Sequence, residues 1–247
     1  MDTRADDAAI CDGRAPSIPS HRPGANITVS SDSALPAGRP AGLALLVLAV
    51  ASLGLLVNHP SAAAQTFADV LRSEAASRTV DAVVHGGFIA VLGAQLVCLA
   101  VLSMRLGLHR IPAVAGLVLG AIGTAFLMLS MLLDGLVTPA IAARYVDVVE
   151  RQGEARILFV LLGTIIAFVM PTGLLFQAAG MMSWSAAFVR REGLLRGAGL
   201  FGIAAGAMII VAIAATAGRV PYVLIGAIVV AAGWYGLIGL ALTLRRI

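Results

Sequence analysis

Residues 157–189 read ILFVLLGTIIAFVMPTGLLFQAAGMMSWSAAFV, and no charged side chain interrupts them. A helix of about 20 apolar residues crosses the roughly 30 Å hydrocarbon core of a bilayer, so this stretch is long enough to form a membrane span. Pro171 and Gly173 interrupt the run and predict a kink in the helix. We expect the crossing to finish near Gly180 and to leave Trp184 at the cytoplasmic interface.

Five further apolar runs have span length, at residues 41–57, 83–104, 112–133, 200–217 and 221–244. The whole chain is 60% hydrophobic and only 12% charged. Soluble domains usually carry about 25% charged residues. The sequence therefore predicts an all-α, polytopic integral membrane bundle with six transmembrane helices over residues 41–247.

Residues 1–40 differ in composition from the rest of the chain. They contain five prolines, many serine, aspartate and arginine residues, and no periodic apolar face. Such a segment buries too little apolar surface to offset the entropy lost on ordering. We expect a disordered cytoplasmic tail. A secretory signal peptide is not expected, because its apolar core would have to lie within about the first 30 residues.

The arginine distribution predicts how the spans are oriented. All 17 basic residues are arginine. If the N-terminus is cytoplasmic, 11 arginines fall on the cytoplasmic side and six on the other. The positive-inside rule then favours a bacterial inner-membrane protein with both termini in the cytoplasm. The lipid bilayer is the expected partner, together with other membrane subunits. Nucleic acid is not expected despite the net charge of +4, because the arginines flank apolar runs.

Two segments on the opposite side look related. Residues 62–78 and 140–156 align with an offset of 78 that matches Asp69 to Asp147, and both have amphipathic helical spacing. We therefore predict two periplasmic amphipathic helices. They would belong to an internal repeat of residues 41–104 and 112–180, followed by a helix pair at 200–244.

Small and polar residues inside the predicted spans are few and regularly placed. The patterns Gly116-x-x-x-Gly120 and Gly202-x-x-x-Gly206 favour close packing of helices within the chain. Gln95 and Gln177 are each expected to bridge helices by hydrogen bonds, because an amide in the membrane interior needs a partner.

A polar cluster is predicted at the periplasmic ends of the first three spans. Its members are Asn58, His59, Asp81, His85 and Asp134. Asp81 and His85 are spaced i, i+4 and so share a helix face. An aspartate one turn from a histidine can fix the imidazole tautomer, as carboxylates do beside metal ligands. The simpler interpretation is a set of interfacial polar residues, with His85 hydrogen-bonded inside the bundle.

Three functions are compatible with these patterns. The leading hypothesis is a non-enzymatic membrane protein that binds a lipid or small ligand in an outward-facing cavity, or an accessory subunit with no cofactor. The first alternative is a redox protein whose His59 and His85 hold haem or a metal. The second alternative is a small permease, favoured by the repeat and by the Pro171–Gly173 break but not by the lack of charged residues within the spans.

Overall fold

The computed structural model describes residues 38–58, 66–216, 218, 221–244 and 247, and the regular structure in this part of the chain is helical. The helices are α1 (Gly38–Val57), α2 (Phe67–Leu106), α3 (Ile111–Leu132), α4 (Thr138–Tyr145), α5 (Gln152–Ala186), α6 (Gly193–Thr216) and α7 (Pro221–Thr243). A π-helical turn, Leu133–Val137, joins α3 to α4, and a 3₁₀ turn, Val149–Arg151, precedes α5. The predicted tail falls outside the described residues as far as residue 37.

Six helical segments of the described chain are long and apolar enough to cross a membrane. They are α1, α2, α3 with its continuation into α4, α5 with the 3₁₀ turn before it, α6 and α7. The predicted all-α architecture with six candidate spans is thereby confirmed. The apolar runs determine this outcome because each of them exceeds the minimum length of a spanning helix.

The second span differs from its prediction in length. We expected an amphipathic helix over residues 62–78 followed by a separate span, but α2 is one continuous helix of 40 residues. A capping box of Thr66 and Asp69 starts it. Residues 67–85 then contain neither glycine nor proline, so nothing in the sequence ends the helix before the apolar run begins. At about 1.5 Å per residue, α2 is about 60 Å long and extends well beyond one bilayer core.

The second predicted amphipathic helix is also different from expectation. Residues 140–151 are not one helix: α4 ends at Tyr145, and a turn separates it from the 3₁₀ turn that begins at Val149. The two segments of the proposed repeat thus adopt different local structures. The repeat itself, residues 41–104 against 112–180, stays a prediction.

Helices α2, α3 and α5 meet closely around Trp184, which defines what we call the Trp184 end of the bundle. The indole of Trp184 is fully buried and lies against Gly116 and Gly120 of α3. Its Nε1 donates a hydrogen bond of 2.8 Å to Ser103 Oγ of α2. Trp184 lies two residues before the end of α5 at Ala186, with its ring between helices. Its predicted position at the cytoplasmic interface stays a prediction.

Glycines bring other helix pairs into contact near the same end. Gly42 of α1 and Gly239 of α7 lie against each other's backbones, and Gly202 of α6 lies against Ser185 and Trp234. A Cβ at Gly42 would come within 2.6 Å of the Gly239 carbonyl oxygen. Since backbones approach this closely only where side chains are absent, these glycines are intramolecular packing sites, as the sequence predicts.

The opposite part of the bundle, which we call the Asp134 end, is built from fewer helices. Leu55, in the last turn of α1, lies against Gly87, and Gly218, between α6 and α7, lies against Pro171. Beyond that level, the described part of the chain continues as α2, the π-helical turn with α4, and the first half of α5. They form a small core of their own around Leu71, Ala142, Tyr145 and Ala155.

Candidate functional site

The polar side chains of α2 form a stripe at the Asp134 end. Glu74, Ser77, Asp81 and His85 follow one another at spacings of three or four residues, so they lie on one face of the helix. Asp81 and His85 are buried, and Glu74 and Ser77 are half-buried. Among the residues that the structure describes, the stripe faces the π-helical turn and its neighbours.

Both ring nitrogens of His85 lie within hydrogen-bond distance of an oxygen atom. Its side chain is only 2% exposed. Nδ1 lies 3.0 Å from the backbone carbonyl oxygen of Asp81, and Nε2 lies 3.2 Å from Oδ2 of Asp134. A carbonyl oxygen only accepts hydrogen bonds, so Nδ1 carries a hydrogen. Nε2 and Asp134 then share one further proton, which belongs either to an imidazolium facing a carboxylate or to a carboxylic acid facing a neutral imidazole.

The Asp81 carboxylate has a different partner from the one its spacing predicts. It accepts a hydrogen bond of 2.5 Å from the Ser77 hydroxyl, one turn earlier on α2. The group that fixes the His85 tautomer is therefore the main-chain carbonyl of Asp81, and the carboxylate paired with His85 is that of Asp134. Asp81 and His85 share a face as expected, but Asp134 makes the charged contact.

Asp134 owes its position to the π-helical turn. The turn inserts an extra residue into the helical repeat, which widens the backbone, and such turns are frequent at functional sites. Gly135 follows Asp134, and the His85 ring lies directly against its Cα, so any side chain at this position would collide with the ring. Thr138 Oγ1 donates a hydrogen bond of 3.0 Å to the Leu133 carbonyl, which also accepts a hydrogen bond from the Thr138 backbone N–H, so Thr138 closes the turn through two contacts.

Glu74 is a member of this cluster that the sequence interpretation missed. Its carboxylate interacts electrostatically with Asp81, Asp134 and His85. The signal that could have found it was present, because Glu74 precedes Asp81 by seven residues on the same helix face. It was missed because residues 62–78 were assigned to a separate helix.

Of the other two predicted members of the cluster, the structure describes Asn58. Asn58 is exposed and its Nδ2 donates a hydrogen bond of 2.7 Å to the carbonyl of Gly54 in its own helix. His59 lies outside the described residues, so the pairing of His59 with His85 stays a prediction. Within residues 38–58, 66–216, 218, 221–244 and 247, no group of three or more His, Cys, Asp or Glu side chains is arranged to hold a metal ion.

A cavity of about 520 Å³ begins beside Asp134 and extends into the bundle. Side chains from α1, α2, α3, α5 and α7 form its wall. They are Ser52, Leu56, Phe88, Leu92, Gln95, Leu127, Met131, Asp134, Met170, Leu174, Gln177, Leu224, Ile225, Ile228, Ala231, Ala232 and Tyr235. Most of this wall is apolar, and the few polar groups sit at separate points on it.

Two hydrogen-bonded bridges form the polar points of the cavity wall. Gln95 Nε2 donates to Ser52 Oγ at 3.1 Å and links α2 to α1. Gln177 Nε2 donates to Thr124 Oγ1 at 2.7 Å, while its Oε1 accepts from the Tyr235 hydroxyl at 2.9 Å, so this amide links α5 to α3 and α7. Both glutamines bridge helices, as the sequence predicts. The sequence does not predict that both glutamines also lie on the wall of a cavity.

These features define the class of the molecule as an all-α bundle whose six long apolar helices have the dimensions of membrane spans. A comparison with protein-family models, with curated proteins and with solved structures yields no match for the chain. Its function is therefore argued from the cavity and from the polar cluster at the cavity's end.

Proposed function

We propose that this chain is a multi-pass membrane protein that binds a small apolar or amphipathic molecule in the cavity beside Asp134, without chemical conversion of that molecule. The observation that carries the proposal is the cavity itself. Ligand sites commonly enclose about 300–1,000 Å³, with mainly apolar walls and a few placed polar groups, and this cavity fits that description.

The packing around the cavity supports a ligand site. Gln95 and Gln177 already have hydrogen-bond partners in the wall, so they stay satisfied when an apolar molecule enters. Elsewhere in the bundle glycines bring backbones into contact, whereas here large side chains such as Phe88 and Met131 surround open space. Close packing is the rule in protein interiors, so an open volume of this size points to a binding role.

Photolabelling tests the proposal. A decanol that carries a diazirine should label residues on the cavity wall, such as Met131 and Met170, and excess plain decanol should compete with this labelling. Ala231→Phe places a large ring in the cavity and should reduce the labelling strongly. The matched control is Ala204→Phe, at an exposed position of α6, which should leave it unchanged. Labelling that does not saturate, or that Ala231→Phe does not reduce, would contradict the proposal.

We also propose that the Asp134 end faces the periplasm of a bacterial inner membrane. The support is the arginine distribution, because Arg105 in the last turn of α2, Arg110 before α3, and Arg190 and Arg191 after α5 all lie at the Trp184 end. Reporter fusions after Arg110 and Arg196 should then read cytoplasmic, and a fusion near Glu74 should read periplasmic. A cytoplasmic signal near Glu74 would reverse the orientation.

The two alternative functions stay predictions with separate tests. In the haem or metal alternative, His85 would have to bind through Nε2, because Nδ1 donates a hydrogen bond to the Asp81 carbonyl. In the structure Nε2 faces the Asp134 carboxylate. An absorbance spectrum of the purified protein tests this alternative. For the permease alternative, the ligand identified by photolabelling should accumulate in proteoliposomes that contain the protein.

A further inference from the structure

The cavity has one charged wall residue among the described side chains, and it lies at one end. That residue is Asp134, whose side chain is 43% exposed, so its carboxylate is reachable from the cavity opening. The rest of the wall offers apolar side chains, two amides and two hydroxyls. A molecule that fills the cavity would therefore place its tail among apolar groups and its head beside a carboxylate.

Acidic side chains surround Asp134 at this end of the cavity. Glu74 and Asp81 are the other carboxyl groups there, and Glu74 interacts electrostatically with Asp81, Asp134 and His85. His85 is the basic group among them. Three carboxyl groups face one imidazole in this cluster, so acidic groups outnumber basic ones there. Arg72, farther along α2, is exposed and paired with Asp69 at 2.7 Å.

We propose that the ligand is a single-chain amphiphile with a cationic head, an alkylammonium or alkylguanidinium, whose head pairs with Asp134 and whose chain occupies the cavity. This inference rests on the proposed function and adds the chemical class of the ligand. An anionic head would meet like charges at the opening, and a neutral head would gain only the burial of its chain. A two-chain phospholipid is larger than the cavity, so the head belongs to a smaller molecule.

The test compares three ligands that share one chain: decyltrimethylammonium, decanol and decyl sulfate. Binding is measured to the full chain in phosphatidylcholine nanodiscs, with empty nanodiscs subtracted as the background. The cation should bind about tenfold more tightly than decanol, the size expected for one favourable ion pair. Decyl sulfate should bind more weakly than decanol. Higher salt should reduce the advantage of the cation, since Asp134 is partly exposed to solvent.

A variant of Asp134 tests whether this residue causes the preference for the cation over decanol. Asp134→Asn keeps the shape of the side chain and an oxygen that His85 can donate to, so the fold should persist. This variant should bind decyltrimethylammonium and decanol with equal affinity, while its affinity for decanol matches that of the native chain. Asp147→Asn is the matched control, because Asp147 is an exposed acid after α4 that is not part of the cavity wall, and it should keep the full preference.

The outcomes separate the inference from the proposed function. Equal affinities for the cation and decanol in the native chain would overturn the cationic ligand and leave the cavity as a site for apolar chains. A cation preference that survives Asp134→Asn would overturn the role of Asp134. Failure of all three ligands to bind would overturn the proposed function itself.

Discussion

The Trp184 end and the Asp134 end of this bundle solve the burial of polar groups in different ways. At the Trp184 end the indole N–H meets a serine hydroxyl at 2.8 Å, and glycines close the space between helices. At the Asp134 end a histidine, three carboxylates and a serine gather on a few helices beside an open cavity. The first arrangement leaves no room for a ligand, whereas the second provides space and charge together.

The difference in packing predicts that the two ends respond differently to mutation. Close contacts between glycine and aromatic rings are sensitive to any change of volume, because protein interiors are packed like crystals. A cavity wall tolerates added volume more easily, since empty space is filled before atoms collide. The Trp184 end should therefore determine stability, and the Asp134 end should determine binding.

The largest expected effect is that of Trp184→Ala. The substitution removes a fully buried ring and its hydrogen bond to Ser103, and large-to-small changes of this kind cost about 3–5 kcal/mol. Thermal unfolding in detergent should show a large loss. Phe168→Ala is the control, because this aromatic side chain is 72% exposed on α5, and its melting temperature should stay close to that of the native chain. Equal losses in the two variants would contradict the assigned role of the Trp184 end.

A somewhat smaller loss is expected for Gly123→Leu in α3. A Cβ at this position would lie 2.7 Å from the backbone nitrogen of Gln177, so α3 and α5 would have to separate. Overpacking typically costs about 1–3 kcal/mol. The matched control is Gly163→Leu in α5, where nothing lies within 4 Å of the added atom. The control should unfold at or above the native temperature, since leucine favours helix more than glycine does; a loss as large as that of Gly123→Leu would show that helix contact is not the cause.

His85→Ala tests the polar cluster. The variant removes the ring that bridges the Asp81 carbonyl and Asp134, and a buried group left without its partner costs about 1–3 kcal/mol. We expect a loss near 2 kcal/mol of unfolding free energy. His109→Ala, at an exposed position after α2, should have no measurable effect. If both variants are neutral, the His85 contacts contribute nothing to the stability of this end.

The smallest effect on stability is expected for Ala231→Phe, the variant that fills the cavity. Its melting temperature should change by little, in contrast to Ala198→Phe, which adds the same ring at a fully packed position of α6. Thermal unfolding of both variants in one detergent compares added volume at an open site and at a closed one. A large loss in Ala231→Phe would mean that the cavity wall is as rigid as the Trp184 end.

The sequence alone determined the architecture of this protein. Six apolar runs of sufficient length predict six candidate spans whatever their neighbours are, because a helix satisfies its own backbone hydrogen bonds and needs only enough apolar length to cross a bilayer. Short-range spacing also predicted that Asp81 and His85 share a face and that Gln95 and Gln177 bridge helices. These are local properties, set by the helical repeat and by the need of an amide for a partner.

The tertiary structure decided which of these residues meet. The pairing of His85 with Asp134 spans 49 residues and depends on a π-helical turn that no periodicity signalled. The burial of Trp184 depends on α3 presenting Gly116 and Gly120 to it, and the cavity depends on where α1 and α7 stand relative to α2 and α5. Contacts between distant segments follow from the packing of whole helices, and the spacing of residues along one helix does not determine which other helix each residue meets.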